Sequence, residues 1–375
     1  MAAVETTEEK LHCIGCGVVI QTTDTKKLGY TPSKTLETAS DDRELYCQRC
    51  FRLRHYNEIQ DISLTDDDFL HLLNEIGTKK ALIVNVVDIF DFNGSLIPGL
   101  HRFVGKNSVL LVGNKKDLLP KSLKTSRLRQ WMRERAYKEG LRPVCVFLTS
   151  AKKPQKMETL LEEIEKYRKG LDVYVVGVTN VGKSTLINAI IKKVAGVQEL
   201  ITTSRFPGTT LDKIEIPLVD GAKLFDTPGI IHRHQMAHYL HKKDLKIIAP
   251  QKEIKPKVYQ LNPEQTLFLG SLARFDFVLG QRQSFVVYVT NDLNLHRTKL
   301  AKADEFYQKH LGGLLQPPRL DEIADFPKLH RFEFSIKEPT DIVFAGLGWI
   351  SVKSKAVVAG YAPEGVEVIV RKTLI

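Results

Sequence analysis

The sequence predicts an α/β protein in which a largely parallel sheet, with helices on both faces, lies between a small cysteine-bearing module and a β-rich α+β domain. From about residue 63 to residue 232, short apolar runs alternate with stretches of helical spacing, which is the pattern of βαβ units. Two C-x-x-C pairs fall within residues 1–62, and strand-like runs fill residues 233–375. At 375 residues, 43% hydrophobic and 26% charged, the chain is long enough for about two or three globular domains.

The composition argues against a membrane protein and favours a polyanionic partner. No apolar run approaches the ~18 to 20 residues that a membrane-spanning helix needs. The acidic start "MAAVETTEEK" has neither the basic nor the apolar segment of a secretory signal, so we expect a cytoplasmic protein without a membrane partner. The net charge of +11 suits phosphate groups, although plain solubilisation accounts for it as well.

Four of the five cysteines predict a structural zinc site in the N-terminal module. Cys13 and Cys16 form "CIGC", and Cys47 and Cys50 form "CQRC". Two such knuckles direct four thiolates toward one tetrahedral ion. Disulfides are the competing interpretation, which a reducing compartment opposes, and a redox role needs an activated thiol on another scaffold. Cys145, in "PVCVF", is expected to be a buried strand residue.

The segment "FRLRHY" follows the second knuckle and is a candidate RNA-binding stretch. Arg52, Arg54 and His55 alternate with Phe51 and Tyr56, which suits pairing with phosphates and stacking on bases. An ordinary helix with a solvated face explains the same pattern.

A phosphate-binding loop is predicted at "GVTNVGKS", which fits G-x-x-x-x-G-K-[ST] between the strand "DVYVVG" and a helix beginning "KSTLINAI". Unpaired amides at a helix N-terminus attract phosphate oxygens. Lys183 is expected to reach the outer phosphates, and the Ser184 hydroxyl to ligate Mg²⁺. The predicted nucleotide-binding residues here are Gly177, Thr179, Asn180, Val181, Gly182, Lys183, Ser184 and Thr185.

Two further fragments fit the same phosphate site. In "LFDTPG", Asp226 is expected to hold Mg²⁺ through its water shell, and the Gly229 amide to sense the terminal phosphate. Between the loop and this fragment lies "FPGTT", where Thr209 or Thr210 would close over the metal as a switch. We therefore expect Lys183, Thr210, Asp226 and Gly229 to serve hydrolysis, and Ser184, Thr210 and Asp226 to bind Mg²⁺.

Base recognition is predicted earlier in the chain, at "NKKD" and "TSAK". Asp117 accepts from guanine N1–H and the 2-amino group, whereas adenine offers no such pair of donors, so the site discriminates in favour of GTP. Taken alone, "NKKD" is also compatible with a basic surface turn. The predicted base-binding residues are Asn114, Lys115, Asp117, Ser150, Ala151 and Lys152.

These five motifs resemble those of translation-factor-type GTPases, but their order differs. Here "NKKD" and "SAK" precede "GVTNVGKS", "GTT" and "DTPG". The chain therefore resembles a circularly permuted P-loop GTPase, a rearrangement that keeps the same strands paired because domain termini usually lie close together. In this order the segment after Gly229 leads into the C-terminal domain, so we expect nucleotide state to be transmitted there.

Two positions bear on the rate of hydrolysis. Ile230 follows "DTPG" where many GTPases have a water-orienting Gln, which predicts slow intrinsic turnover. Asn180 resembles the asparagine of potassium-activated GTPases, and that resemblance implies a K⁺ site and K⁺ stimulation. The "HRHQMAHYLHKK" segment carries His232, His234, His238 and His241 but no acidic partner, so a basic switch helix accounts for it better than a metal site does.

The complete arrangement resembles the bacterial YqeH family over nearly its full length. That resemblance implies a GTPase acting in assembly of the small ribosomal subunit, with ribosomal RNA or a precursor particle as partner and residues 233–375 as the RNA- or ribosome-binding domain. A GTPase acting on tRNA, or a nonenzymatic RNA scaffold with structural GTP, remains an alternative.

Overall fold

The fold is taken from a computed structural model, and two compact units emerge from it. The structure describes residues 11–13, 18–25, 27–37, 45–56, 63–64, 66–153, 156–195, 214–218, 220–230 and 235–375. The first unit comprises Met1–Asp88, Leu96–Lys115 and Met132–Ile231, and the second comprises Ile89–Ser95, Lys116–Trp131 and His232–Ile375. The domain boundaries after residues 62 and 232 stay predictions.

The elements of the described residues are as follows in chain order. The α-helices are α1 (Ser33–Glu37), α2 (Gln48–Tyr56), α3 (Asp66–Gly77), α4 (Phe92–Ser95), α5 (Leu100–Phe103), α6 (Thr125–Lys138), α7 (Met157–Arg168), α8 (Lys183–Ala195), α9 (Lys242–Ile248) and α10 (Ala303–His310). The strands are β1 (Ser63–Leu64), β2 (Ala81–Asp88), β3 (Ser108–Asn114), β4 (Cys145–Leu148), β5 (Asp172–Val176), β6 (Ile214–Pro217), β7 (Lys223–Asp226), β8 (Gly229–Ile230), β9 (Lys257–Leu261), β10 (Gln265–Leu269), β11 (Ala273–Gly280), β12 (Gln283–Val289), β13 (Leu295–Lys299), β14 (Leu329–Ile336), β15 (Thr340–Phe344), β16 (Gly348–Val352), β17 (Ala356–Pro363) and β18 (Val368–Lys372). Short 3-10 helices span Lys116–Leu118, Met236–Tyr239, Leu300–Lys302 and Leu320–Asp325.

A six-stranded sheet with the order β4-β3-β2-β5-β7-β6 forms the centre of the first unit. All its neighbours are parallel except β6, which runs antiparallel to β7. In β2, seven successive residues from Ala81 to Val87 are buried, as expected for a parallel strand covered on both faces. Period and composition predict strands at the apolar runs "ALIVNVVD", "SVLLVGN", "PVCVFLTS" and "DVYVVGV", and these predictions are confirmed by β2, β3, β4 and β5.

Helix α7 shows how the connections return the chain across the sheet. Its buried face is formed by Met157, Leu160 and Ile164 at helical spacing. Lys169 and Gly170 follow with φ of 50° and 78°, a left-handed conformation that ends the helix. The apolar spacing of the sequence predicts a helix near residues 156–169 that ends at Gly170, and this prediction is confirmed. Cys145 begins β4 but is half-buried rather than buried, because a strand's first residue is covered less completely than its centre.

The second unit contains two five-stranded antiparallel sheets. Their orders are β13-β10-β11-β17-β14 and β18-β15-β16-β12-β9. Fully buried aromatic residues of the core include Phe275, Phe277, Phe285 and Phe344. The run "DIVFAGLGWISV" forms the hairpin β15–β16, in which Gly346 turns with a φ of 79°. The β-rich prediction for this region is confirmed.

Among the residues of the N-terminal module that the structure describes, α1 and α2 are the main regular elements. Isolated β-bridges join His12 to Val19 and Gln21 to Tyr30. Its buried cluster consists of Cys13, Cys47 and Cys50, against which Val18, Ile20 and Tyr46 pack. Among the described helices of the whole chain, none is long and apolar enough to cross a bilayer.

Candidate functional site

The loop between β5 and α8 has the backbone that the phosphate-loop pattern predicts. Asn180 and Gly182 adopt left-handed φ angles of 65° and 85°. A Cβ on Gly182 would lie 2.5 Å from Asn114 Nδ2, so this position requires glycine both for its conformation and for space. Helix α8 then begins at Lys183, where its first amide groups have no partner within the helix.

Asn114, at the end of β3, joins three of the predicted motifs. Its Nδ2 donates to the Val181 carbonyl at 2.8 Å, and its Oδ1 accepts from the Ala151 backbone N–H at 2.9 Å. The side chain is buried. The first residue of "NKKD" therefore holds the phosphate loop on one side and the "TSAK" segment on the other, because parallel strands deliver their carboxyl ends to one edge of the sheet.

Lys115 extends the same network with its ammonium group. Its backbone has a φ of 64°, and its Nζ lies 2.7 Å from Asp88 Oδ2. The Nζ also donates to the Asn180 carbonyl. Asp88 is the last residue of β2 and was not singled out from the sequence; a carboxylate at a strand's carboxyl end is the signal that identifies it.

A buried charge cluster lies at the start of α8 and the end of β7. Lys183 Nζ forms an ion pair with Asp226 Oδ1. The other carboxylate oxygen, Oδ2, lies 3.4 Å from Arg49 Nη2. Arg49 was missed by sequence reasoning, because only its position inside "CQRC" marks it and that pattern indicates the cysteines.

The "DTPG" segment after β7 lies against β5 and the phosphate loop. The Thr227 hydroxyl donates to the Val175 carbonyl at 2.8 Å. A Cβ on Gly229 would lie 3.0 Å from the Thr179 backbone nitrogen, which shows how closely the two segments approach. The structure therefore brings together the segments containing Thr179, Lys183, Asp226 and Gly229.

The other predicted site residues are distributed as follows. Ser184 is buried in the first turn of α8, while Thr185 is exposed. Lys152 is exposed in the turn after β4. Asp117 lies in the 3-10 helix Lys116–Leu118, within the second unit. Thr209 and Thr210 lie outside the described residues, as do His232 and His234, whereas His238 packs edge-on against Tyr239.

Three of the four predicted zinc ligands converge. The Sγ atoms of Cys13, Cys47 and Cys50 all lie within 4.8 Å of one another, and all three side chains are buried. The Cys47 backbone N–H points at Cys13 Sγ, 3.1 Å away. Cys16 lies outside the described residues. Three converging thiols held by a backbone N–H fit a thiolate-coordinated zinc ion.

A cavity of about 480 Å³ lies beside this cluster. It is lined by Thr31, Pro32, Thr35, Tyr46, Gln48, Phe51 and Arg52. Aromatic rings, hydroxyl and amide groups and one guanidinium therefore share one opening. The side chains of Arg54, His55 and Tyr56 lie outside the described residues.

Comparison with known proteins identifies the class first. The family model described as "50S ribosome-binding GTPase" matches residues 172–265. The match begins at β5, the strand before the phosphate loop, while "NKKD" and "TSAK" precede it in the chain. The protein is therefore a P-loop GTPase with circularly permuted motifs.

The particular family follows from matches over more of the chain. The model "YqeH-like, C-terminal" matches residues 282–374. An uncharacterized protein YqeH of Bacillus subtilis is 59% identical over 98% of this chain and 100% of that protein. The chain belongs to the YqeH family.

More distant matches include a plant protein and a solved structure. NO-associated protein 1, chloroplastic/mitochondrial, of Arabidopsis thaliana is 33% identical over 91% of this chain and 69% of that protein. The GNP-bound structure of YlqF from T. maritima is 23% identical, with a TM-score of 0.31, and covers 48% of this chain and 65% of that one.

Proposed function

We propose that this protein hydrolyses GTP to GDP and phosphate as a switch in assembly of the small ribosomal subunit, where it binds ribosomal RNA or a precursor particle. The observation that carries the nucleotide part is the position of Asn114, which hydrogen-bonds both Val181 and Ala151. One side chain thereby ties the predicted base-binding segments to the predicted phosphate loop. We expect the protein to act in the cytoplasm.

Each predicted residue has a role in this proposal. Asp117 reads guanine, Lys183 holds the outer phosphates, and the backbone amides from Thr179 to Thr185 surround the remaining phosphate oxygens. In the reaction, water attacks the terminal phosphorus and the bond to the bridging oxygen breaks. The chain's own contribution is to fix the phosphates and to keep the nucleophile in line with the leaving group.

Magnesium fits the donors at this site. The Ser184 hydroxyl and the Asp226 carboxylate lie at the ends of the two segments that approach each other, and oxygen is the ligand atom that Mg²⁺ prefers. We propose that these residues hold the ion together with Thr209 or Thr210. When bound, Mg²⁺ neutralises charge on the phosphates.

Potassium and the position after "DTPG" set the expected rate. We propose that Asn180 helps to hold K⁺, and that Ile230 in the place of a water-orienting Gln leaves intrinsic turnover slow. Multiple-turnover phosphate release should therefore be slow in Na⁺ and faster in K⁺. Equal rates in the two salts would remove the potassium site from the proposal, and less than one turnover per chain would favour a scaffold with structural GTP.

The sharpest test of base recognition is Asp117→Asn. An amide offers a donor where the carboxylate offers only acceptors, so it suits the 2-carbonyl of xanthine instead of the 2-amino group of guanine. The rate of GTP hydrolysis should fall at least about 10²-fold in the variant, which should instead hydrolyse xanthosine triphosphate. Asp321→Asn, a change of the same type in the 3-10 helix Leu320–Asp325, is the matched control. Unaltered GTP preference in Asp117→Asn would contradict the assignment.

The RNA part of the proposal has support from charge and from the cavity in the N-terminal module. The chain carries a net charge of +11. Tyr46 and Phe51 offer rings for an unstacked base, and Arg52 offers a cation for a phosphate at the same opening. Single-stranded ribosomal RNA is a ligand with both features.

Sedimentation with purified particles tests the partner. We expect the protein with a GTP analogue to migrate with small-subunit particles at physiological salt, and the GDP form to bind them less. The double variant Phe51→Ala/Arg52→Gln should reduce this binding without reducing GTP affinity. Binding to the large subunit alone, or to tRNA alone, would contradict the small-subunit assignment.

A further inference from the structure

Arg49 connects the zinc module to the predicted magnesium ligand. It lies in α2 between Cys47 and Cys50, and its side chain is only 5% exposed. Its Nη2 is 3.4 Å from Asp226 Oδ2, across 177 positions of sequence. A residue placed between two cysteines that line a candidate zinc site thus touches the carboxylate at the end of β7.

The charges around Asp226 do not balance among the described residues. Lys183 faces Oδ1 and Arg49 faces Oδ2, so two buried cations share one carboxylate. The Nε–H of Arg49 has no hydrogen-bond partner within the described part of the chain. A guanidinium does not lose its proton in proteins, and an uncompensated buried charge is costly. This arrangement is therefore suited to a bound anion such as a nucleotide phosphate.

We propose that Arg49 is a positioning residue for GTP hydrolysis. It holds the Oδ2 side of the Asp226 carboxylate and thereby orients the oxygen that faces Lys183. This inference rests on the proposed GTPase function and adds a role for the zinc module that folding of the module alone does not require. Partners of metal-binding carboxylates commonly matter almost as much as the ligands themselves.

Zinc would affect Arg49 through the backbone on either side of that residue. Cys47 and Cys50 are buried with Cys13, and an ion bound to their thiolates would fix the short segment from which the arginine projects. Loss of the ion would let this segment move, so the guanidinium would no longer be held beside Asp226. We therefore expect zinc occupancy to affect hydrolysis through Arg49.

The first experiment measures steady-state GTP hydrolysis in the full chain. Arg49→Gln should lower kcat about 10-fold and raise the Mg²⁺ concentration needed for half-maximal rate, while KM for GTP changes less than about 3-fold. Arg49→Lys keeps the charge and should restore part of the rate. Arg142→Gln is the matched control, because Arg142 is exposed and precedes the amino end of β4, at the opposite edge of the sheet.

Several results would overturn the positioning role. One is a kcat and Mg²⁺ requirement for Arg49→Gln equal to those of the Arg142→Gln control. A second is a lower Mg²⁺ requirement in Arg49→Gln than in the native chain. A third is the same kcat in Arg49→Lys as in Arg49→Gln. Zinc content and binding of a fluorescent GDP analogue without Mg²⁺ serve as measures of folding. If Arg49→Gln loses zinc or no longer binds the GDP analogue, the same kinetic comparison is made with Arg49→Lys at full zinc content.

The second experiment removes zinc with a chelator selective for zinc over magnesium. Zinc removal should lower kcat in the native chain and have little further effect in Arg49→Gln, because both changes break the same link. Multiplicative losses would contradict coupling through Arg49. If the native, zinc-loaded chain turns over no GTP at all, the proposed function itself fails, which is a different outcome from a native GTPase that is indifferent to Arg49.

Discussion

The two units each contain a buried arginine beside a buried aspartate, and the two arrangements differ in charge balance. In the second unit Arg371 lies 3.4 Å from Asp341, which also accepts from the Ser351 hydroxyl and the Leu374 backbone N–H. One cation thus meets one anion, whose oxygens are satisfied. In the first unit, among the residues that the structure describes, Asp226 is the one carboxylate that faces both Arg49 and Lys183.

We interpret this difference as one between a structural ion pair and a cluster that awaits an anionic ligand. The Arg371 guanidinium also donates to Asn93 Oδ1 at 3.0 Å and lies 5.0 Å from the ring centres of both Trp131 and Trp349. Burial still raises the pKa of the Asp341 carboxyl, because desolvation outweighs the nearby arginine. Beside Asp226, in contrast, two cations meet one carboxylate among the described residues, and we propose that a bound ligand supplies the remaining negative charge.

The largest stability effect is expected for Arg371→Met. The change leaves Asp341 buried without its cation, which should lower the free energy of unfolding of the second unit by about 3–5 kcal/mol. The only two tryptophans of the chain, Trp131 and Trp349, both belong to this unit, so urea unfolding followed by tryptophan fluorescence reports on it. Adding Asp341→Leu should recover much of the loss. A loss below about 1 kcal/mol would contradict a structural role.

Lys183→Met is expected to act on function and to spare stability. It should lower kcat/KM for GTP about 100-fold, which corresponds to about 2.7 kcal/mol. In the nucleotide-free variant, Arg49 still pairs with Asp226. The midpoint of thermal unfolding, followed by circular dichroism, should therefore not decrease. Lys223→Met, an exposed change in β7, is the control. If Lys183→Met destabilises the nucleotide-free protein as much as Arg371→Met does, the cluster around Asp226 is a structural ion pair like the one around Asp341, and the functional interpretation is wrong.

Asp244→Asn is expected to alter the pH dependence of the second unit. Burial and the neighbouring Glu322 raise the pKa of the Asp244 carboxyl to about 6. Because the folded state prefers the protonated acid, stability from this group is present at low pH and declines as pH rises from about 4 to 6. The neighbouring Asp244 lowers the pKa of Glu322, which offsets part of the decline.

The asparagine variant removes this ionisation. At pH 8 it should be about 1–2 kcal/mol more stable than the native chain, and at pH 4 the two should be equal, with urea midpoints read from tryptophan fluorescence. Asp325→Asn, at the end of the 3-10 helix Leu320–Asp325, is a control for the change of residue type. An equal difference at both pH values would contradict the titration of Asp244.

The smallest effect is expected for Arg331→Met. Arg331 pairs with Glu333 on the same strand, but both side chains are about half exposed. Water and the cost of ordering two long side chains cancel most of the attraction, so the free energy of unfolding should change by less than about 0.5 kcal/mol. A change comparable to that of Arg371→Met would show that burial does not distinguish these ion pairs.

Local patterns carried the prediction of the nucleotide motifs and of the sheet around them. The strand that becomes β2 is a nearly continuous apolar run. Gly177 and Gly182 bracket a loop that needs the small size of both and the left-handed backbone of Gly182. The cysteine pairs likewise have a spacing that predicts zinc ligands. Such features are readable because neighbours in the chain determine them.

Other features depend on residues far apart in the chain. The segments Ile89–Ser95 and Lys116–Trp131 belong to the second unit, although the motif order suggests a single nucleotide domain from 63 to 232. Several strands of the second unit, such as β13, have mixed polar and apolar residues, because one face of an antiparallel strand meets solvent. Which strands pair with each other in this unit is determined by how their buried faces pack together.

The sequence by itself determined the class of protein, since glycine, lysine and serine at set spacings form the phosphate loop between a strand and a helix. Only the tertiary structure decided that Arg49 meets Asp226 and that Arg371 meets Asp341. Electrostatic pairing depends on distance and burial, and neither quantity is encoded in the spacing of two residues along the chain.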